Sequence, residues 1–186
     1  MIITEDIKEA IRAVKGGGVI VYPTDTVYGI GCSFFSTSAI DKIYEIKQRD
    51  KSQPFSVAFN SIEQAQGYTI ISQKEQETIK QKIEDKSQGW TFIVKKKSIM
   101  FLHPSFKSTL GIRIPEHKVV KAITKEAGPI ITTSANISGQ PAPARFEELD
   151  KEILEKVDVV VKGTCNTKKP SIIYDLAKEP YEIVRE

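Results

Sequence analysis

The chain has 186 residues, 40% of them hydrophobic, enough to bury one substantial core without a second domain, and its formal charge of +3 suits an anionic ligand but falls short of the dense basic stripe of a dedicated nucleic-acid binder. Only Cys32 and Cys165 occur, with no C-x-x-C pair, and His103 and His117 have no metal-ligand spacing, which argues against a zinc site or a disulfide framework. The N-terminus runs straight into charged residues and nowhere do about 18 apolar residues follow one another, so neither signal peptide nor membrane span is expected and the expected location is the cytoplasm.

Thr4 is expected to cap a helix over residues 5–15, with Ile7, Ala10, Ile11 and Val14 at helical spacing and Gly16 as its stop. Residues 19–22, β-branched and apolar, predict a buried strand that ends at Pro23. Thr24, Asp25 and Thr26 follow at the strand end, and Gly29 and Gly31 either admit close approach of a ligand or belong to a tight hairpin with solvated hydroxyls. Ser38 and Asp41 resemble a capping box for a second helix, whose last turn leads to Lys47, Arg49 and Lys51 ahead of the apolar run 55–59. Cations at such a helix-to-strand junction suit phosphate, although Lys47 is equally an ordinary partner of the helix dipole.

Residues 60–85 read as outer cladding around a helix that starts with the capping box of Ser72 and Glu75. A strand over 90–94 is followed by Lys95, Lys96 and Lys97, a solvated strand end more readily than an RNA contact. Residues 109–115 alternate as a strand with Thr109, Gly111 and Arg113 on one face and Leu110, Ile112 and Ile114 on the other. Arg113 facing a cavity could hold a carboxylate through two parallel hydrogen bonds; facing water, it would be an ion-pair partner. A helix over 119–127, a strand over 130–133 and a loop over 134–143 rich in hydroxyl and amide groups come next. A helix over 146–157 and strands over 158–161, 171–176 and 181–185 complete an α/β pattern with a mixed sheet.

No P-loop, dinucleotide fingerprint or serine-hydrolase elbow is present. The remaining cations and hydroxyls at strand ends and loops suit chemistry that rests on positioning and charge neutralisation, such as displacement at a nucleotide phosphate.

Four motifs in order, P-T-D-T-V-Y-G-I-G at 23–31, K-x-R at Lys47 and Arg49, G-I-R-I-P around Arg113 and S-A-N-x-S-G at 134–139, resemble the YrdC/Sua5 family of threonylcarbamoyl-AMP synthases. The resemblance covers nearly the whole chain and implies a single α/β domain over residues 1–186, with a twisted open mixed sheet, flanking helices and a central cavity. It implies that ATP, L-threonine and bicarbonate become L-threonylcarbamoyl-AMP and pyrophosphate, the first stage of N6-threonylcarbamoyladenosine formation at position 37 of tRNA, with a transferase complex acting downstream. Carried over by position, Thr24, Arg113, Thr132 and Ser171 would contact threonine. Lys47, Arg49, Ser134 and Asn136 would surround the reacting phosphate, and Lys51, Thr109 and Arg185 would complete the ATP site. Mg2+ is expected with ATP from general phosphoryl chemistry, without a protein metal site. The chain departs from the family at Asp50, Gln53, Ala58 and 87–89, and it ends where longer Sua5 proteins continue, as in the short type. An RNA-binding, translation-factor-like module and a paralogue with an altered substrate are the competing expectations.

Overall fold

In the computed structural model, which describes residues 1–98 and 102–185, short β-branched runs form strands and amphipathic runs form helices. The first third comprises β1 (Ile2–Thr4), α1 (Ile7–Lys15), β2 (Ile20–Tyr22), β3 (Gly29–Gly31), α2 (Thr37–Lys47) and β4 (Ser56–Ala58). The middle contains α3 (Ile62–Gln66), β5 (Thr69–Ile70), α4 (Gln73–Glu84), β6 (Trp90–Lys96), β7 (Thr109–Arg113) and α5 (Lys118–Ala127). The remainder adds β8 (Ile130–Ser134), α6 (Lys151–Lys156), β9 (Val159–Val161), β10 (Ile172–Asp175) and β11 (Glu182–Arg185). The strands make one open mixed sheet in the order β1-β9-β2-β3-β8-β4-β7-β6-β10-β11, with β5 pairing onto β6.

Alternation across the sheet sorts the core into two layers. Val19 and Val21 join a large apolar cluster with residues of α2, α3, α4 and α6, among them Ile40, Ile62, Ile79 and Ile153. Ile20 and Tyr22 join the opposite cluster, covered by Ala10, Ile11 and Val14 of α1 and Val119, Val120 and Ile123 of α5. That second layer reaches Ala58 on β4 and its cross-strand partner Ile130 on β8 and goes no further. Two residues along, the same face carries Ser56 opposite Thr132, side chains too polar to continue the core, and there the sheet floors a cavity.

Several local expectations shift. The cap of α1 is Asp6, whose side chain accepts from Lys8 N, because Thr4 is held extended opposite Val161 in β1. Ser36, not Ser38, caps α2, so Asp41 is released to face Lys51 and His103. The expected helix over 146–157 is broken: a short 3-10 turn (Phe146–Glu148) precedes α6, which starts afresh at the Asp150 cap. Strands β1, β3 and β5 and helix α3 lie where no regular element was expected. The Ser72–Glu75 capping box forms in both directions as expected.

Gly31 pairs with Ile20 on one side, and a Cβ there would lie 2.1 Å from the Ile131 carbonyl oxygen and 2.9 Å from the Tyr22 hydroxyl. Gly31→Ala is expected to force β3 and β8 apart and lower stability by about 2 kcal/mol. The denaturation midpoint checks this, with Gly16→Ala, which meets nothing closer than 3.4 Å, as the mild control.

Candidate active site

The cavity holds about 420 Å³ and is walled by the sheet floor, the loop after β8, the loop before β4 and the β10–β11 hairpin. Three arginines far apart in sequence converge on it: Arg49, Arg113 and Arg185. Thr132, Ser134, Asn136 and Ser171 share the lining, and among the described residues no carboxylate does.

Each arginine is held differently. Arg49 lies 5.1 Å over the Phe55 ring and donates to the Gln53 and Pro54 carbonyls, so the turn that follows α2 folds back under it. Phe55 in turn stacks on Tyr44 at 4.1 Å, which ties this arginine to the helix face behind it. Arg185 reaches across its hairpin to donate to the Ser171 carbonyl at 2.8 Å and to its hydroxyl at 3.3 Å. The same hydroxyl lies 2.8 Å from Thr91 Oγ1. Arg113 donates through Nη2 to Asp25 at 2.7 Å and to the Thr26 hydroxyl at 3.1 Å. Desolvation, and then the charges of Arg113 and Arg49, lower the proton affinity of Arg185; burial does the same to Arg49. The cavity is therefore electropositive, and an anion entering it relieves repulsion already present.

Four of the residues expected at the site stand elsewhere. Lys47 is 1% exposed and does not line the cavity. Its Nζ donates to the carbonyls of Ser134 and Asn136, both at 2.6 Å, while its own carbonyl accepts from Ser138 N. It thus clamps the turn that presents Ser134 and Asn136. Lys51 turns outward to an ion pair with Asp41 on the surface. Thr109 shares the face of Arg113 but sits at the far end of β7, opposite Lys95, outside the cavity lining. Thr24 is buried, its hydroxyl shared between Thr26 and the Val27 carbonyl, so it braces Thr26, which does line the cavity.

Asp25, Thr26, Ser56, Thr91 and Gln140 were not among the residues expected at the site. For Thr91 the signal was present: Trp90, Phe92 and Val94 alternate into the core, leaving Thr91 on the other face of β6. Asp25 does not line the cavity at all and touches it only through Arg113, a relation that no spacing reveals.

Burial, and secondarily the charge of Arg49, push the Lys47 ammonium down to about 7, against two short carbonyl bonds that favour the charged form. Below that value the folded protein carries the cost of a buried charge in full. Between about 7 and the ordinary lysine value the unfolded chain holds a proton that the folded one has released, so stability rises with pH through that window. Comparing denaturation midpoints of the parent and Lys47→Met from pH 6 to pH 9.5 checks this: the parent is expected to gain on the variant as pH rises.

A family model described as "Telomere recombination", covering Sua5, YciO and YrdC proteins, matches residues 12–186. A Methanocaldococcus jannaschii protein named putative threonylcarbamoyl-AMP synthase is 32% identical over 177 residues, covering 94% of this chain and 82% of that one. The crystal structure of Escherichia coli YciO matches the fold with a TM-score of 0.84 at 26% identity, over 100% of this chain and 93% of the other. Pyrococcus abyssi Sua5, crystallised with L-threonine, matches in fold with a TM-score of 0.88 at 24% identity; all of this chain is covered, but it spans only 57% of that longer one. By the family match across nearly its whole length and by the archaeal relative, this chain belongs to the Sua5/YciO/YrdC family.

Proposed function

We propose that this protein makes L-threonylcarbamoyl-AMP from ATP, L-threonine and bicarbonate, releasing pyrophosphate. The observation that carries the reading is the convergence of Arg49, Arg113 and Arg185 on one hydroxyl-rich cavity that, among the described residues, has no carboxylate in its lining. The name of the archaeal relative points the same way. The threonine ammonium gives up a proton, and the resulting amine condenses with bicarbonate to a carbamate with loss of water; a carbamate oxygen then attacks the α-phosphorus and pyrophosphate leaves. Every reacting group after the first step is anionic, so the cavity's contribution is to hold these groups together and offset their repulsion.

Arg113, with Thr132 and Ser171, takes the amino-acid carboxylate. Arg49, Ser134 and Asn136 surround the α-phosphate, and Arg185 takes the rest of the nucleotide. Lys47 serves the phosphate indirectly, through the turn it clamps. Lys51 and Thr109 could serve ATP only from the periphery, since neither lines the cavity. Among the described residues no group of three or more His, Cys, Asp or Glu could hold a metal ion. Magnesium would come in on the triphosphate as part of the substrate, where it offsets charge on the departing pyrophosphate. The product is an activated threonylcarbamoyl group for transfer to adenosine 37 of tRNA by a downstream transferase.

Pyrophosphate release measured with threonine and bicarbonate omitted in turn tests the reaction: all three substrates are expected to be required, and release indifferent to threonine overturns the reading. Arg49→Ala is expected to lower kcat about a hundredfold, roughly 3 kcal/mol of transition-state stabilisation, with a smaller change in ATP binding. Arg185→Ala is expected to raise the ATP KM with little change in melting temperature, because all four residues of β11 are exposed and little apolar area depends on them; Arg185→Glu is expected to be worse.

A further inference from the structure

The three arginines of the cavity are not electrically equivalent. Among the described residues, Arg49 and Arg185 donate only to carbonyl and hydroxyl oxygens, whereas Arg113 is paired with a carboxylate. The Arg113–Asp25 pair is largely buried, with side-chain exposures of 10% and 15%. Asp25 approaches Arg113 from the side away from the main cavity, where it lines a small separate pocket with Asp85, Glu116 and Trp90. Its own backbone carbonyl accepts from Thr167 N at 3.0 Å, which fixes the turn that carries it. Gly89 packs against the same group: a Cβ there would lie 2.1 Å from Thr26 Cγ2, 3.4 Å from Arg113 Nη2 and 3.5 Å from Asp25 Oδ2.

The donors that remain on Arg113 follow from this. A guanidinium grips a carboxylate through Nε with Nη2, or through Nη1 with Nη2, so both two-bond grips need Nη2. Here both Nη2 protons are taken, by Asp25 and by the Thr26 hydroxyl, while Nε is buried with no acceptor. One acceptor must yield before a ligand is gripped. Thr26 can yield, because its hydroxyl is neutral and keeps a second partner in Thr24 at 2.9 Å. Asp25 cannot without stranding a buried charge.

We propose that Asp25 is a specificity-determining residue: by holding and half-neutralising Arg113, it reserves that end of the cavity for the monoanionic carboxylate of an amino acid and leaves polyphosphate to Arg49 and Arg185, which no carboxylate among the described residues offsets. Without it, three equivalent cations would attract a triphosphate anywhere along the cavity, including the place the amino acid must occupy. The inference rests on the threonine and ATP reading given above. It adds the reason the two substrates lie in one direction and not the other.

Binding of L-threonine alone, of pyrophosphate alone and of each in the presence of the other, measured by calorimetry on the parent, Asp25→Asn and Asp25→Glu, tests it without requiring turnover. The parent is expected to bind both at once. Asp25→Asn keeps the size and an acceptor oxygen but loses the charge; it is expected to bind pyrophosphate about tenfold more tightly and to make threonine and pyrophosphate mutually exclusive. Asp25→Glu is expected to restore the parental pattern. If Asp25→Asn does not fold, Asp25→Ser, with room for a water in place of the carboxylate, gives the same comparison. A folded neutral variant that binds both ligands together with parental affinities overturns the proposal, as does one whose affinities for both fall in parallel with its melting temperature, the behaviour of a purely structural residue. A parent that binds pyrophosphate but not threonine overturns the substrate reading itself, and with it this inference.

Discussion

Holding three arginines around one half-buried cavity is unfavourable until an anion arrives, and much of the local structure can be understood as the means of tolerating that repulsion. The proton affinities of Arg49 and Arg185 are both lowered, the second partly by its two cationic neighbours. Each arginine is offset in its own way: an aromatic face and two carbonyls for Arg49, a carboxylate for Arg113, a carbonyl and a hydroxyl across a hairpin for Arg185. These offsets come from elements at opposite ends of the sequence, so the cavity is a product of the whole fold and not of one motif. A ligand that supplies negative charge replaces partial compensation with full compensation, which is how stored repulsion becomes binding affinity.

The sheet makes the space by stopping its second core layer early. Helices α1 and α5 cover Ala58 and Ile130, and the next inward-facing pair, Ser56 and Thr132, has no helix above it. On the opposite face the same strands stay apolar, with Val57, Ile112 and Ile131 buried in the large cluster. One face therefore supplies stability along the full length of these strands, while the other divides its length between core and cavity. Gly111 belongs to this division: it sits beside Ser56, where a Cβ would press on the serine hydroxyl at 3.1 Å.

This division explains what could be read from the chain. Periodicity marked the strands with β-branched cores and put Arg113 opposite Leu110 and Ile112, because burial on one face imposes a period of two. It missed β3, whose Gly-Ile-Gly has almost no strand propensity and is selected by the close approach of Ile131. Caps slipped by two residues at α1 and α2, since several Ser, Thr and Asp side chains compete there and tertiary pairing of β1 decides the first. Lysines proved harder to place than arginines. Lys47 follows the helix axis inward, because Gln48 adopts a left-handed conformation that ends α2 and the turn after β8 closes over it. Lys51 follows the surface to Asp41, a partner freed by the displaced cap. Neither outcome is written in the K-x-R spacing, which fixes only their order along the chain.

The β10–β11 hairpin gives the cavity its least supported wall. All four residues of β11 are exposed, its pairing with β10 carries a register irregularity between Ile173 and Tyr174, and nothing pairs with its outer edge among the described residues. Few apolar groups are lost if it detaches, so its opening costs less than unfolding of the central strands. Yet this strand carries Arg185, and the partner of Arg185 is Ser171, at the start of the same hairpin. An anion held between Arg185 and the fixed Arg49 ties that wall to the rigid part of the molecule. The wall is then held by more than the Arg185–Ser171 contact that secures it when the cavity is empty.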